Sequence, residues 1–499
     1  MTTAHDERSL PPHPLILEID TWPWLAGLGA PPGGLAEVPG AVWDRVAAHG
    51  YDAVWLMGVW ARSPAGIAVA LANEGLMASF RAALPDLRVE DVVGSPYCVR
   101  DYVVDDRLGG REGLATARAA LRDRGVGLLL DFVPNHVAPD HPWVEQAPER
   151  FVRGDEDDLA RDGVTFTRVG DSIIAHGRDP YFPAWPDVLQ LNAFDIGLRA
   201  AVVETVRDIA DQCDGIRCDM AMLMMSDVFE QTWGERVGAP PEEEYWPEVI
   251  GAVRRTHPEF VFAAEAYWDR EWALQQQGFD HCYDKRLYDR LVTGDAPGVA
   301  AHLTAGATYQ QKLLRFLENH DEPRAASLFD PARHRAAAVA TLTQCGARLV
   351  HDGQTTGRRT HLPVFLGRFP DEPADHDLEA FYQRLLGALR DETWHEGEWQ
   401  LCQTAGWTDN EGAAEIAAWC WDGTSRWLVA VNLGPTEATA HVVVPWPDLK
   451  GRDVQLHDPT QDVSYVRSGD DLCDGLYVAL PGWGWHLFRV EPVEDGAPQ

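Results

Sequence analysis

At 499 residues the chain is long enough for a large core and more than one domain. It is 45% hydrophobic and 24% charged, an ordinary globular balance, with 78 acidic against 42 basic residues and a formal charge of −36. Such a charge disfavours a nucleic-acid backbone or an anionic membrane as partner, since both would be repelled, and leaves a neutral ligand open.

The N-terminal stretch "MTTAHDERSLPPHP" has no basic region followed by an apolar one, so no signal peptide is expected, and no apolar run reaches transmembrane length. The eight cysteines are scattered without CxxC or metal-ligand spacing. That pattern predicts reduced, buried thiols in a cytoplasmic protein. "LILEID" (15–20) reads as the first strand and "DAVWLM" (52–57) as the second. "EGLATARAALRDRG" (112–125) reads as a helix with Leu114, Ala117 and Leu121 on one face and Gly125 at its end. "VGLLLDF" (126–132) is a nearly unbroken apolar run, as in a strand covered on both faces. A helix over 198–212 leads into a strand at 214–219, and further strands are predicted at 259–268, 281–284, 313–321 and 347–352.

Eight strand–helix units predict an α/β fold, a closed (β/α)8 TIM barrel, over residues 1–132 and 197–395. Residues 133–196, rich in Pro, Asp and Gly, are too long for an ordinary connection and read as a small subdomain inserted after the third strand. Its acidic run "GDEDDLARD" reads as a solvated face. From 396 to 492, short β-rich runs broken by Gly and Pro, without helices, predict a C-terminal antiparallel β-sandwich domain.

The hexapeptide "GIRCDM" (215–220) places two charges on one face of a strand that should be buried. A barrel resolves this, because its active site lies at the C-terminal strand ends. There the sequence sets Asp131, Asn135 and His136 after the third strand and Arg217 and Asp219 on the fourth. Glu265 follows on the fifth strand, and Asn319, His320 and Asp321 on the seventh. Carboxylates, histidines and an arginine on one rim suit glycosidic bond cleavage, which needs a nucleophilic carboxylate and a carboxylic acid. Asp219 beside Arg217 is expected to have a lowered pKa and stay ionised, whereas Glu265, in "FAAEA", is expected to be raised by desolvation.

These stretches resemble the alpha-amylase family of retaining glycoside hydrolases and transglycosylases. "DFVPNH", "GIRCDMAM", "FAAEAYW" and "FLENHDEPR" look like its four short motifs, in order and at barrel spacing. "GSPYCVRDY" (94–102) resembles the loop carrying its sugar-stacking tyrosine, here Tyr97, and "VLQLN" (188–192) the motif closing the inserted subdomain. The resemblance implies Asp219 as nucleophile, Glu265 as general acid/base and Asp321 as the residue that strains the sugar. It implies Arg217, His136, His320 and Tyr97 as substrate-binding groups, and Arg324 on the non-reducing side. It implies no required cofactor, with Asn135 as a candidate calcium ligand, and an oligosaccharide as the partner. The function implied is hydrolysis of alpha-glucosidic bonds in maltooligosaccharides and alpha-glucans through a covalent glycosyl-enzyme. The alternatives are a transglycosylase of intracellular glucan or trehalose metabolism and a catalytically silent carbohydrate-binding relative.

The chain also departs from the family pattern. Met222 and Leu223 stand where many starch-degrading members have Lys and His, which predicts a drier acceptor side, helped by Trp185 and Trp268. "APDHPWV" (138–144) resembles a loop of maltosyltransferases that use a sugar phosphate, with His141, Arg150 and Arg178 as candidate phosphate partners.

Overall fold

The computed structural model describes residues 10–29, 31 and 33–493, so most of the N-terminal stretch read above lies outside the described residues. The eight predicted strands are present: β1 (Leu15–Asp20), β2 (Ala53–Met57), β3 (Gly127–Phe132) and β4 (Gly215–Cys218) come first. β5 (Val261–Ala264), β6 (His281–Tyr283), β7 (Leu313–Phe316) and β8 (Ala347–His351) follow. All pair in parallel, each with its neighbours in sequence, and β1 joins β8 to close the barrel. Several strands are shorter than expected, because the chain leaves the ladder where polar rim residues begin. The stretch 313–321 is strand only to Phe316, and Asn319 then accepts the backbone N–H groups of Asp321 and Glu322 in a tight turn.

Alternation along the strands sorts the barrel interior. Ile16, Ala53, Leu129, Ala263, Leu314 and Leu349 belong to one apolar cluster. One or two inward positions further along, the lining turns charged: Glu18 lies beside Trp55, and Arg217 lies between Asp131 and Ala263. The outer face of the strands packs on helices with apolar stripes. Ile196–Ala210 is representative, with Asp195 capping the Leu198 N–H and Leu198, Val202, Val206 and Ile209 buried.

Between β2 and β3 the chain makes an excursion that periodicity did not reveal. It contains a two-stranded antiparallel sheet, Trp60–Arg62 against Val99–Val104, and helices Pro64–Ala72 and Glu74–Ala83. The segment after β3 carries a four-stranded antiparallel sheet, in the order 136–137, 185–190, 172–177, 166–169. Its acidic run is not simply solvated. Asp158 is buried, and both of its oxygens bind Arg236, which stands after β4. Beyond the barrel, a six-stranded and a three-stranded antiparallel sheet face each other across an apolar core, as a sandwich requires. The expectation of no helix there is corrected by Gly469–Gly475, a short helix capped by Ser468.

The sandwich and the barrel share one apolar cluster. Trp419 and Trp421, fully buried on the strand Ile416–Asp422, both donate their indole N–H to the carbonyl of Thr343, just past helix Pro331–Leu342. Trp394 packs edge-on against Trp421 at 5.5 Å. Trp421→Ala removes a buried aromatic and one of the two donors to a buried carbonyl. It is expected to cost about 3–5 kcal/mol of stability, read as a lower urea midpoint.

Candidate active site

The C-terminal strand ends meet around one guanidinium. Arg217 on β4 is fully buried, and its Nη1 donates to Asp219 Oδ1 at 2.8 Å while its Nη2 lies 2.7 Å from Glu265 Oε2. Asp321 Oδ2 stands 3.8 Å from the same Nη2. Tyr283 on β6 accepts from Arg217 Nε at 3.2 Å. The four predicted groups are therefore together, brought there from the ends of β4 and β5 and the turn after β7.

Each carboxylate has a different surrounding. Asp219 follows β4 directly, and its N–H bonds the carbonyl of Phe132 on β3. The expected lowering of its pKa is corrected: burial pushes Asp219 up to about 6, and Arg217 only partly opposes that. Glu265 is raised as expected, to about 7, by burial and by the nearby charge of Asp219 working against Arg217. Its neighbours are more polar than the sequence implied. Met220 N–H donates to Oε2 at 2.6 Å and the Tyr267 hydroxyl to Oε1 at 2.9 Å. Asp321 opens towards the cleft. Burial pushes its pKa up, but His320, 3.0 Å away, outweighs that and holds it at about 2. Below them Asp131, raised by burial to about 6, accepts from Gly58 N–H and the Trp55 indole.

A cleft of about 390 Å³ opens over this cluster, lined by Asp219, Glu265 and Asp321 together with Tyr97, His136 and Trp185. Tyr97 contacts His320 through a 2.6 Å hydrogen bond between its hydroxyl and Nε2. His136 packs against the Trp185 ring at 5.3 Å, and burial lowers its pKa to about 4, so it is a neutral donor and acceptor.

Three predicted placements are not found. Arg324 points away from the cleft: its Nη1 donates to Glu318 Oε1 at 2.7 Å and to the Asp352 carbonyl at 2.7 Å, fully buried. Asn135 does not fit a calcium ligand, a role that calls for several oxygens including carboxylates. Its side chain is engaged with Gln190, whose Nε2 donates to Asn135 Oδ1 at 2.8 Å, and with His136. Met222 and Leu223 are buried core in a 3-10 turn, and the residue that lines the cleft is Met220, held at φ 43. The candidate phosphate partners are also engaged elsewhere. His141 Nδ1 accepts the Trp143 N–H, Arg150 covers the Trp143 ring, and Arg178 donates to the Asp179 carbonyl.

Sequence reasoning overlooked Asp187, a fourth carboxylate lining the cleft with a pKa raised by burial, although it stands directly before "VLQLN". It overlooked Tyr267, two residues past Glu265, and Phe365, which no local signal marked. It also overlooked Glu18. An inward-facing acid in "LILEID" poses the same question as Arg217 in "GIRCDM".

No protein-family profile matches the chain. It is 27% identical over 308 residues to an alpha-amylase of Haloarcula japonica, a match covering 59% of this chain and 41% of that protein. It is 26% identical over 253 residues to an alpha-1,4-glucan:maltose-1-phosphate maltosyltransferase of Streptomyces coelicolor, covering 48% and 30% respectively. The chain thus spans less than half the length of these curated relatives. In fold it is similar to a maltogenic alpha-amylase from Thermotoga neapolitana, with a TM-score of 0.67 at 17% identity over 97% of this chain and 100% of the other. An alpha-amylase from Lactobacillus plantarum gives a TM-score of 0.66 at 19% identity over 96% and 99%. The four motifs thus stand at the ends of β3, β4, β5 and β7, in a chain similar in sequence to an alpha-amylase and a maltosyltransferase and similar in fold to alpha-amylases.

Proposed function

We propose that the protein cleaves alpha-glucosidic bonds of maltooligosaccharides or related alpha-glucans with retention of configuration. The observation that carries this is the single buried guanidinium shared by Asp219 and Glu265. Two carboxylates reached by the two ends of one guanidinium are close together. That favours the short separation of retaining pairs, about 5 Å, over the wider gap that admits a water between inverting ones. In the first step Asp219 Oδ attacks the anomeric carbon as the glycosidic C–O bond breaks, and Glu265 gives its proton to the leaving oxygen. In the second, Glu265 as carboxylate takes a proton from water or a sugar hydroxyl, whose oxygen displaces Asp219 and returns the enzyme to its starting state. Arg217 orients Asp219, and Asp321, kept ionised by His320, grips ring hydroxyls and offsets the positive charge that develops on the sugar. Tyr97, His136 and Trp185 supply the face and hydrogen bonds for the same ring.

The second reading, transfer to a sugar acceptor, is favoured by Met220, Trp185 and Phe365 along the cleft, which give water few partners. A maltosyltransferase using a sugar phosphate is less favoured, because the candidate cations are engaged away from the cleft. Eight cysteines, none of them paired, fit a reducing compartment, so a cytoplasmic location is part of the proposal. Among the described residues no helix is long and apolar enough to cross a membrane.

Asp219→Asn is expected to lower kcat by about a thousandfold or more with the fold intact, measured on an aryl maltooligoside with circular dichroism as control. A variant near wild-type rate overturns the assignment. The active form needs Asp219 ionised and Glu265 protonated. Hence kcat/KM should rise as pH passes about 6 and fall as it passes about 7, a narrow bell. A flat profile across that range would contradict the proposed division of labour. Maltoheptaose products resolved by length separate the two readings: only shorter sugars mean hydrolysis, and shorter plus longer ones mean transfer. If maltoheptaose, maltose, trehalose and sucrose are all left intact, the substrate class is wrong.

A further inference from the structure

Beneath Asp321 the structure holds a carboxylate that the chemistry above does not use. Glu18, on β1, is fully buried, and its Oε1 lies 2.5 Å from His320 Nδ1. The other ring nitrogen of His320, Nε2, lies 3.0 Å from Asp321 Oδ2 and 2.6 Å from the Tyr97 hydroxyl. Trp55 meets the His320 ring edge-on at 5.5 Å and fixes its plane.

Proton counting then decides the state of the ring. A neutral imidazole carries one N–H and one lone pair. With carboxylate oxygens facing both nitrogens, a neutral ring would turn a lone pair onto an anion on one side. Two protons satisfy both contacts. Nδ1–H donates to Glu18, and Nε2–H is shared by Asp321 and the Tyr97 oxygen. The Tyr97 hydroxyl, no longer required to donate to His320, keeps its own proton for the cleft.

We propose that Glu18 is a positioning residue, whose buried carboxylate fixes His320 as a doubly protonated imidazolium that grips Asp321 and leaves the Tyr97 hydroxyl as a donor to substrate. The other charged or titratable groups around the ring are Asp321, Tyr97, Asp131, Asp20, His361 at the His320 carbonyl, His351 beside Glu18 and, across the Tyr97 ring, Arg217. Among them the anions dominate, and the two that touch the ring, Asp321 and Glu18, raise the His320 pKa well above its ordinary value against the opposing effect of burial. The sign follows: His320 stays charged through neutral pH, and weakening the anionic side lets it lose its proton as pH rises.

The kinetic part of this inference rests on the proposed glycosidic activity, whereas the protonation part does not. The first experiment is a long-range proton–nitrogen correlation spectrum of the full chain labelled with ¹⁵N-histidine, at about pH 8. The His320 signals are assigned by their loss in His320→Gln. Both ring nitrogens should carry protons in the wild type, and a neutral His320 there overturns the proposal whatever the protein cleaves. In Glu18→Gln, which keeps shape but removes the charge, His320 should be neutral at the same pH, and an unchanged imidazolium overturns the assignment to Glu18. On an aryl maltooligoside, the ratio of Glu18→Gln to wild-type kcat should fall about tenfold between about pH 6 and about pH 8, with KM within about threefold. Glu18→Asp, which restores the charge, should recover the wild-type pH dependence, and a ratio flat with pH would reduce Glu18 to a structural residue.

Discussion

The site depends on one desolvated cation. Arg217 is sealed between β3 and β5, where an unpaired guanidinium would be prohibitively costly, and Asp219 and Glu265 are its direct counter-charges. The dependence runs both ways. Without Arg217, two carboxylates would be left buried against each other, and burial alone already lifts both above their ordinary values. The guanidinium thus sets the distance between them, keeps at least one ionised near neutrality, and lets their two pKa values differ by neighbours rather than by chemistry. Because it is planar and rigid, it does this at fixed geometry, which a lysine could not.

Around that centre, further charged groups line the strand ends. Glu18 stands on β1, Asp131 on β3, Arg217 on β4, and His320 and Asp321 stand after β7. A second buried set lies beside it, where Arg324 pairs with Glu318, and His351, raised to about 9 with Asp20 as its anionic partner, joins the same network. The two sets differ in access. The first opens through Asp219, Glu265 and Asp321 into the cleft, and the second, with Glu318, Arg324 and His351 buried, does not line it. Charge alone therefore does not mark the substrate side of the barrel; lining the cleft does.

The barrel was legible in the sequence because each strand is an apolar run of limited length followed by a helix with a clear stripe, and even "HCYD" took its place as β6. The catalytic quartet was legible because a buried strand tolerates charges at alternate positions only where the facing strands supply partners of opposite sign. Arg324 was misread because its sequence distance from Asp321 does not say which way the chain turns. After Asp321 the Ala325 N–H bonds Glu318, and the arginine is carried inward. Met222 was misread for a similar reason, since a left-handed Met220 rotates the following turn into the core. Asp158 and Arg236 meet across 78 residues, and no local pattern encodes such a pairing.

The indole pair on Thr343 has a bearing on how the chain is made. Helix Pro331–Leu342 backs the last part of the barrel, and its outer side is kept dry by the strands that carry Trp419, Trp421 and Val429. During synthesis the chain emerges from its N-terminus. All eight barrel strands are therefore outside the ribosome while the cover for that helix is still being translated. Until the strands Ile416–Asp422 and Arg426–Asn432 appear, an apolar strip beside β8 faces solvent, so the sandwich completes the burial of the barrel's last helix.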